Sequence, residues 1–305
     1  SAAKLPSTKA FPAIFATRER SFKNSKKSLF SCFIRRIQEM HDLLVAVYQM
    51  EVLSGEKEQN LKKVRTAVQK YHRKEIDLWV LPELFSTGFA YSRYPDLAEN
   101  PKQSYTLNFL EKLSKEYNTS FAGSILFNSE EKGIYQNVGF ILSPTKGVIC
   151  SYPKIYLWDT EKDHFKSGFK LAPPINLEGK AKIGLSICYD LRFPEISRNL
   201  VLQGAEILIT TAAWPEPRID HFNLLAVARA LENTCYHIAV NRLGQELELG
   251  LTYPGSSRII DPWGNVIGGA SRFEQVIQTQ LYSEILEQTR KAIPVLSDRK
   301  TDFPP

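Results

Sequence analysis

The chain has 305 residues, 43% of them apolar and 24% charged. That is enough for a sizeable core, yet no run approaches the roughly 18–20 apolar residues of a membrane-crossing helix. The formal charge of +6 misleads as a guide to partners, because residues 1–38 hold nine Lys or Arg against Glu19 alone, leaving the rest at −2. A near-neutral body offers no basic stripe for nucleic acid, and four cysteines without a C-x-x-C pair give neither a zinc site nor a disulfide framework.

Residues 1–39 are rich in Ser, Lys and Arg, poor in acids, and lack the apolar core of a secretory signal. They read as a mitochondrial or plastid transit segment, or as an upstream extension ahead of Met40, and a single domain is expected over 40–305. A cytoplasmic or other reducing compartment suits the cysteine usage. The body opens with a β-type run at 43–49. An amphipathic helix follows at 55–74, with Leu61, Val64, Val68 and Tyr71 on one face. A buried strand at 76–81 ends at Pro82-Glu83. Leu107, Leu110, Leu113 and Tyr117 mark a second helix, and 121–127 is a strand. Strands 138–142 and 148–152 form a hairpin across the turn-rich 143–147, with Lys154 just after it.

Residues 182–187 form another buried strand, ending at Cys188. Pro194 suits the first position of a helix over 194–203, stopped by Gly204. Residues 206–213 are a strand, 220–233 a helix with Asp220 as N-cap, and 235–241 a strand. Residues 256–260 and 266–269 flank the turn Asp261-Pro262-Trp263-Gly264. A last strand at 274–281 precedes a helix at 282–291, and the tail from Ile293 is expected to be irregular. Strands linked partly by helices and partly by hairpins point to an α/β fold of two mixed sheets with helices on the outer faces.

Three ionisable residues follow strand ends: Glu83, Lys154 and Cys188. If those ends converge, a carboxylate can take the thiol proton, an ammonium can stabilise thiolate and oxyanion, and the thiolate can attack a carbonyl or nitrile carbon. Cys188 sits on a strand-to-helix elbow, where backbone N–H groups from Tyr189 onward can face a reacting oxygen. A structural ion pair of Glu83 with Lys154 is the competing reading. Ser186 nearly completes a Gly-x-Ser-x-Gly elbow, but it falls within the strand. His221 and His237 read as structural, and Arg192, Arg229 and Glu232 as structural pairs on helices.

The stretches Leu81-Pro82-Glu83-Leu84-Phe85, Tyr152-Pro153-Lys154-Ile155-Tyr156-Leu157 and Ile187-Cys188-Tyr189-Asp190-Leu191-Arg192-Phe193-Pro194 resemble the three signatures of the nitrilase, or carbon–nitrogen hydrolase, superfamily. The resemblance spans about 43–294. It implies a four-layer α-β-β-α sandwich, with Glu83 as general base, Lys154 as oxyanion stabiliser and Cys188 as nucleophile. It also implies a homodimer or larger homo-oligomer, and neither metal nor organic cofactor. Glu161, seven residues before Gly168, matches a second glutamate of the family, with Asp163 as a rival. Tyr156 departs from the family pattern, which often has His there.

The segments around Ser86–Ala90 and 213–221 are similar to ω-amidases, which act on small 2-oxo dicarboxylate monoamides such as 2-oxoglutaramate. That likeness implies Arg218 as the partner of the substrate carboxylate and Phe89 and Trp214 as pocket walls, while the elbow after Cys188 makes the Tyr189 N–H a second oxyanion donor. Nitriles, N-carbamoyl compounds and deaminated glutathione are the alternative substrates. A catalytically silent interaction module on the same scaffold is the alternative of another class.

Overall fold

The computed structural model describes residues 40–72 and 75–300, so the reading of residues 1–39 falls outside the described residues. Residues 43–49 are buried on both faces, as a central strand between layers must be, and form β1 (Leu43–Gln49). It lies within a mixed sheet ordered β14-β1-β2-β3-β4-β5. Its partners are β2 (Leu78–Val80), β3 (Ser120–Asn128), β4 (Tyr135–Ser143) and β5 (Gly147–Pro153). A second mixed sheet runs β13-β12-β9-β8-β7-β6. It begins with β6 (Ile175–Leu177), β7 (Ala181–Ile187), β8 (Ile207–Ala212) and β9 (Tyr236–Asn241). A two-stranded ribbon of β10 (Leu243–Glu246) and β11 (Leu251–Pro254) follows. The sheets are completed by β12 (Arg258–Ile260), β13 (Val266–Gly269) and β14 (Gln275–Leu281).

Helices α1 (Lys57–Tyr71), α2 (Tyr94–Leu97) and α3 (Tyr105–Tyr117) precede β3. The predicted stripe Leu61, Val64 and Val68 packs with Leu110 and Leu113 on Trp79, Phe121 and Phe140 of the first sheet. α4 is the short Glu161–His164 turn. α5 (Pro194–Leu202) and α6 (Ile219–Asn233) cover the second sheet, with Leu200 against Leu208 and Phe222 and Ala226 in the main core. α7 (Ser283–Ala292) and α8 (Val295–Asp298) close the described chain. The two sheets meet closely at Gly139, where a Cβ would stand 2.9 Å from Leu185 Cδ2 and 3.2 Å from Ile187 Cδ1. No helix among the described residues is long and apolar enough to cross a membrane.

Several boundaries differ from the sequence reading. The strand expected at 76–81 pairs only over Leu78–Val80, because the chain turns at Pro82 to present Glu83. Asp220 is not the N-cap of α6. The 3-10 turn Glu216–Arg218, set by Pro215 and Pro217, runs straight into the helix, so Asp220 lies in its first turn. The tail after Ile293 contains the helical turn α8 rather than being wholly irregular. β6, β10, β11, α2 and α4 are too short to show periodicity.

Candidate active site

β2, β7 and β8 run parallel within their sheets, and their C-terminal ends point toward one cleft. Ends of parallel strands gather functional side chains because the loops leaving them are held by a rigid sheet. Glu83 leaves β2, Cys188 leaves β7, Ala213 and Trp214 leave β8, and Lys154 leaves β5. Glu83, Lys154, Glu161 and Cys188 line a single open cleft of about 500 Å³, including the solvent space at its mouth. Phe89, Tyr91, Trp158, Tyr189, Trp214 and Tyr253 form its aromatic walls, and Arg192 and Arg218 lie among its lining residues.

The floor is a buried ion cluster. Lys154 Nζ donates to Glu83 Oε1 at 2.8 Å and to Glu161 Oε1 at 2.6 Å and Oε2 at 2.8 Å. Burial would strip the ammonium of its proton, but Glu161 and Glu83 outweigh it and hold the Lys154 pKa well above the usual lysine value. Burial, reinforced by Glu83 and opposed by Lys154, pushes Glu161 up to about 7. Glu161 also accepts from Trp158 N at 2.7 Å, which fixes α4 over the lysine. Its rival Asp163 is exposed on the outside of that turn.

Glu83 is held from the other side. Its Oε1 accepts from Asn137 Nδ2 and its Oε2 from Ala213 N, both at 2.8 Å. Asn137 also accepts the Lys154 backbone N–H at 2.9 Å through its carbonyl, so one β4 residue positions both the acid and the amine. Sequence reasoning missed Asn137, because the strand was expected only from 138 and Asn137 precedes its apolar run beside Gln136.

Cys188 opens a 3-10 turn, Cys188–Arg192, with φ at +44°. A non-glycine residue there costs on the order of 1–3 kcal/mol and persists only where its surroundings fix it. Burial, and then Glu83, raise the thiol pKa well above the ordinary cysteine value, against the pull of Lys154. The resting thiol therefore keeps its proton. The first N–H groups of a 3-10 turn have no acceptor within it, which leaves the Tyr189 N–H available at the elbow.

The expected pocket residues Phe89, Tyr189, Trp214 and Arg218 all line the cleft. Trp214 is anchored through Nε1 to the Arg218 carbonyl at 2.7 Å, and the Arg218 guanidinium lies 5.0 Å over the Trp158 ring. Arg192 corrects the sequence reading. Among the described residues it forms no ion pair but stacks 4.7 Å over Trp214, inside the cleft wall. No carboxylate lies within ion-pair distance of Arg192 or Arg218 among the described residues. Arg229 does pair with Glu232, at 2.9 Å, and clamps the carbonyls of Leu191 and Arg192 behind the elbow.

The other candidates lie outside the chemistry. Ser186 bonds within the sheet to Ile209 O and Thr210 Oγ1. His237 is buried against Ala226 O and Thr210 Oγ1, and burial lowers it to about 4. His221 contacts Arg192 at 3.2 Å. Tyr156 stacks on Phe193 with ring centres 3.5 Å apart, away from the cleft lining. Leu249, Leu251 and Tyr253 of the β10–β11 ribbon also line the cleft. The ribbon is braced by the buried Arg242–Glu246 pair, whose glutamate accepts from Phe89 N at 2.8 Å. Among the described residues, no group of three or more His, Cys, Asp or Glu is placed to hold a metal ion.

The carbon-nitrogen hydrolase family model matches residues 44–291. A 2-oxoglutaramate amidase of Bacillus subtilis (strain 168) is 31% identical over 260 residues, covering 85% of this chain and 98% of that protein. A deaminated glutathione amidase of Escherichia coli O157:H7 is 32% identical over 265 residues, covering 85% and 97%. Among solved structures, Saccharomyces cerevisiae Nit3, a member of branch 10 of the nitrilase superfamily, matches with a TM-score of 0.78 at 25% identity. That match covers 87% of this chain and 98% of Nit3.

Proposed function

The chain belongs to the carbon–nitrogen hydrolase family, and on that premise we propose that Glu83, Lys154 and Cys188 hydrolyse a short ω-amide through a thioester on Cys188. The protein is an enzyme of the amidase type, acting on carbon–nitrogen bonds other than peptide bonds, with the layered fold of the nitrilase superfamily. The observation that supports these roles best is the buried Lys154 ammonium, held between Glu83 and Glu161 in the cleft that Cys188 also lines.

The chemistry then follows. Glu83 takes the proton from Cys188 as the sulfur attacks the amide carbon. The carbonyl oxygen becomes an oxyanion held by the Lys154 ammonium and the Tyr189 N–H, each such donor being worth about 3–4 kcal/mol. Glu83 returns its proton to the amide nitrogen, the C–N bond breaks and ammonia leaves. Water, deprotonated by Glu83, attacks the thioester and releases the carboxylic acid and the thiol. Glu161 keeps Lys154 in place throughout.

The preferred substrate is 2-oxoglutaramate or 2-oxosuccinamate. Two arginines without carboxylate partners, Arg192 and Arg218, suit a small substrate whose far end is anionic. Deaminated glutathione is the second reading, favoured because an adjoining pocket past Trp158, Tyr189 and Arg218 is lined by Asp159 and Lys162, which leaves room for a longer acyl group. Ammonia release from 2-oxoglutaramate, deaminated glutathione, a nitrile and an N-carbamoyl amino acid tests the choice. The expected order puts 2-oxoglutaramate first in kcat/KM. Arg192→Met and Arg218→Met are expected to raise its KM about 10- to 100-fold, the worth of a charged hydrogen bond, while sparing kcat on an uncharged amide. Preference for the nitrile or the carbamoyl compound would overturn the reading. A homodimer or higher homo-oligomer is part of it, supported by the exposed Leu224 and Leu231 on α6; a monomer in sedimentation would refute that part.

A further inference from the structure

We propose that Asp190 is a positioning residue that ties the nucleophile's turn to the segment carrying the lysine, so that Lys154 and Cys188 keep one fixed separation. The proposal rests on the roles given above to those two residues. Asp190 is fully buried two residues after Cys188 and does not line the cleft. Its Oδ2 accepts from Ile187 N, the peptide just before the cysteine, at 3.1 Å, and from the Tyr152 hydroxyl at 2.6 Å. Its Oδ1 accepts from Tyr156 N at 3.0 Å.

Tyr152 and Tyr156 stand two residues before and two after Lys154. All three donors to this carboxylate thus come from the two segments that carry the sulfur and the amine. Such a carboxylate is expensive to keep. Burial pushes its pKa up, against those hydrogen bonds, and no Lys or Arg forms an ion pair with it among the described residues. A well-packed apolar side chain would fill the same space at lower cost. What an apolar side chain could not do is hold the left-handed Cys188 turn from within, through Ile187, while gripping the lysine segment from outside. A backbone conformation of this kind stays in place only when several contacts fix it together.

The test compares Asp190→Asn, which keeps the shape but removes the charge and one acceptor, with Tyr152→Phe, which removes only one bond to the lysine segment. Kinetics on 2-oxoglutaramate are combined with iodoacetamide labelling of Cys188 across pH. Asp190→Asn is expected to lower kcat about 10- to 100-fold, the cost of a misplacement near 1 Å, with KM within about twofold. Labelling slows and its midpoint moves up in pH, because Lys154 no longer sits against the thiolate. Tyr152→Phe is expected to show the same pattern in smaller measure, with a melting temperature lower by only a few degrees.

Unchanged kcat in both variants overturns the proposal. So does a labelling midpoint that falls, which is what loss of a nearby negative charge alone would produce. If Asp190→Asn does not fold, Tyr152→Phe decides on the same criteria. A wild-type protein that releases no ammonia from the amide rejects the substrate reading instead, and the labelling comparison still decides the tie.

Discussion

Cys188→Ala is expected to lower ammonia release by at least about 10⁴-fold, because a nucleophile that forms the covalent intermediate cannot be replaced by its neighbours. Its fold is expected to survive. Only one sulfur is lost at the cleft surface, and the bonds that hold the turn, from Ile187 to Asp190 and from Arg229 to Leu191, do not involve the side chain. Ammonia release by the purified variant, with circular dichroism as the check on folding, decides this. A well-folded variant keeping a tenth of wild-type turnover would remove Cys188 from the mechanism.

Lys154→Met is expected to damage both activity and stability. Loss of an oxyanion donor alone costs about 10²–10³ in kcat. Removing one partner of a buried ion cluster costs on the order of 3–5 kcal/mol, because Glu83 and Glu161 would be left facing one another without a cation. That deficit depends on pH. Burial already holds Glu161 up at about 7 with Lys154 in place, and loss of the ammonium raises it further. The folded variant then binds a proton near neutrality that the unfolded chain, with carboxylates near 4.3, does not. Wild type gains stability from this proton as pH falls through about 7, whereas the variant gains it from a higher pH downward, so the gap between them is widest at pH 8 and narrows as pH falls to about 7 and below. Urea midpoints at pH 8 and pH 5.5 read this directly; equal deficits at both would mean the carboxylates do not feel the lost cation.

The three residues proposed to react, which share one cleft, stood out in the sequence for a physical reason. Glu83, Lys154 and Cys188 each follow an apolar strand, and a polar side chain at such an edge stands out against period-2 burial. Glu161 could be placed only through the resemblance, because α4 is a single turn with Asp163 as good a candidate on spacing alone. The cleft walls were harder. Leu249, Leu251 and Tyr253 come from a ribbon whose strands are too short to show periodicity and which lies far along the chain from Glu83. Arg242 and Glu246, four apart, would pair on a helix, yet here they pair beside a ribbon that no periodicity announces. Arg192 was misassigned because its pairing depends on which way the turn after Cys188 aims it, and that turn is left-handed at its first residue. Asp220 was taken for a cap because Pro215 and Pro217 were not read as opening a 3-10 turn that feeds the helix.

The most direct measurement is rapid quenching of the wild-type protein with excess 2-oxoglutaramate, followed by peptide mass analysis. The expected result is a transient adduct on the peptide containing Cys188, with the mass of the substrate less ammonia, absent in Cys188→Ala. Steady ammonia release with the adduct on another residue, or with none under conditions that trap thioesters, would contradict the proposed chemistry.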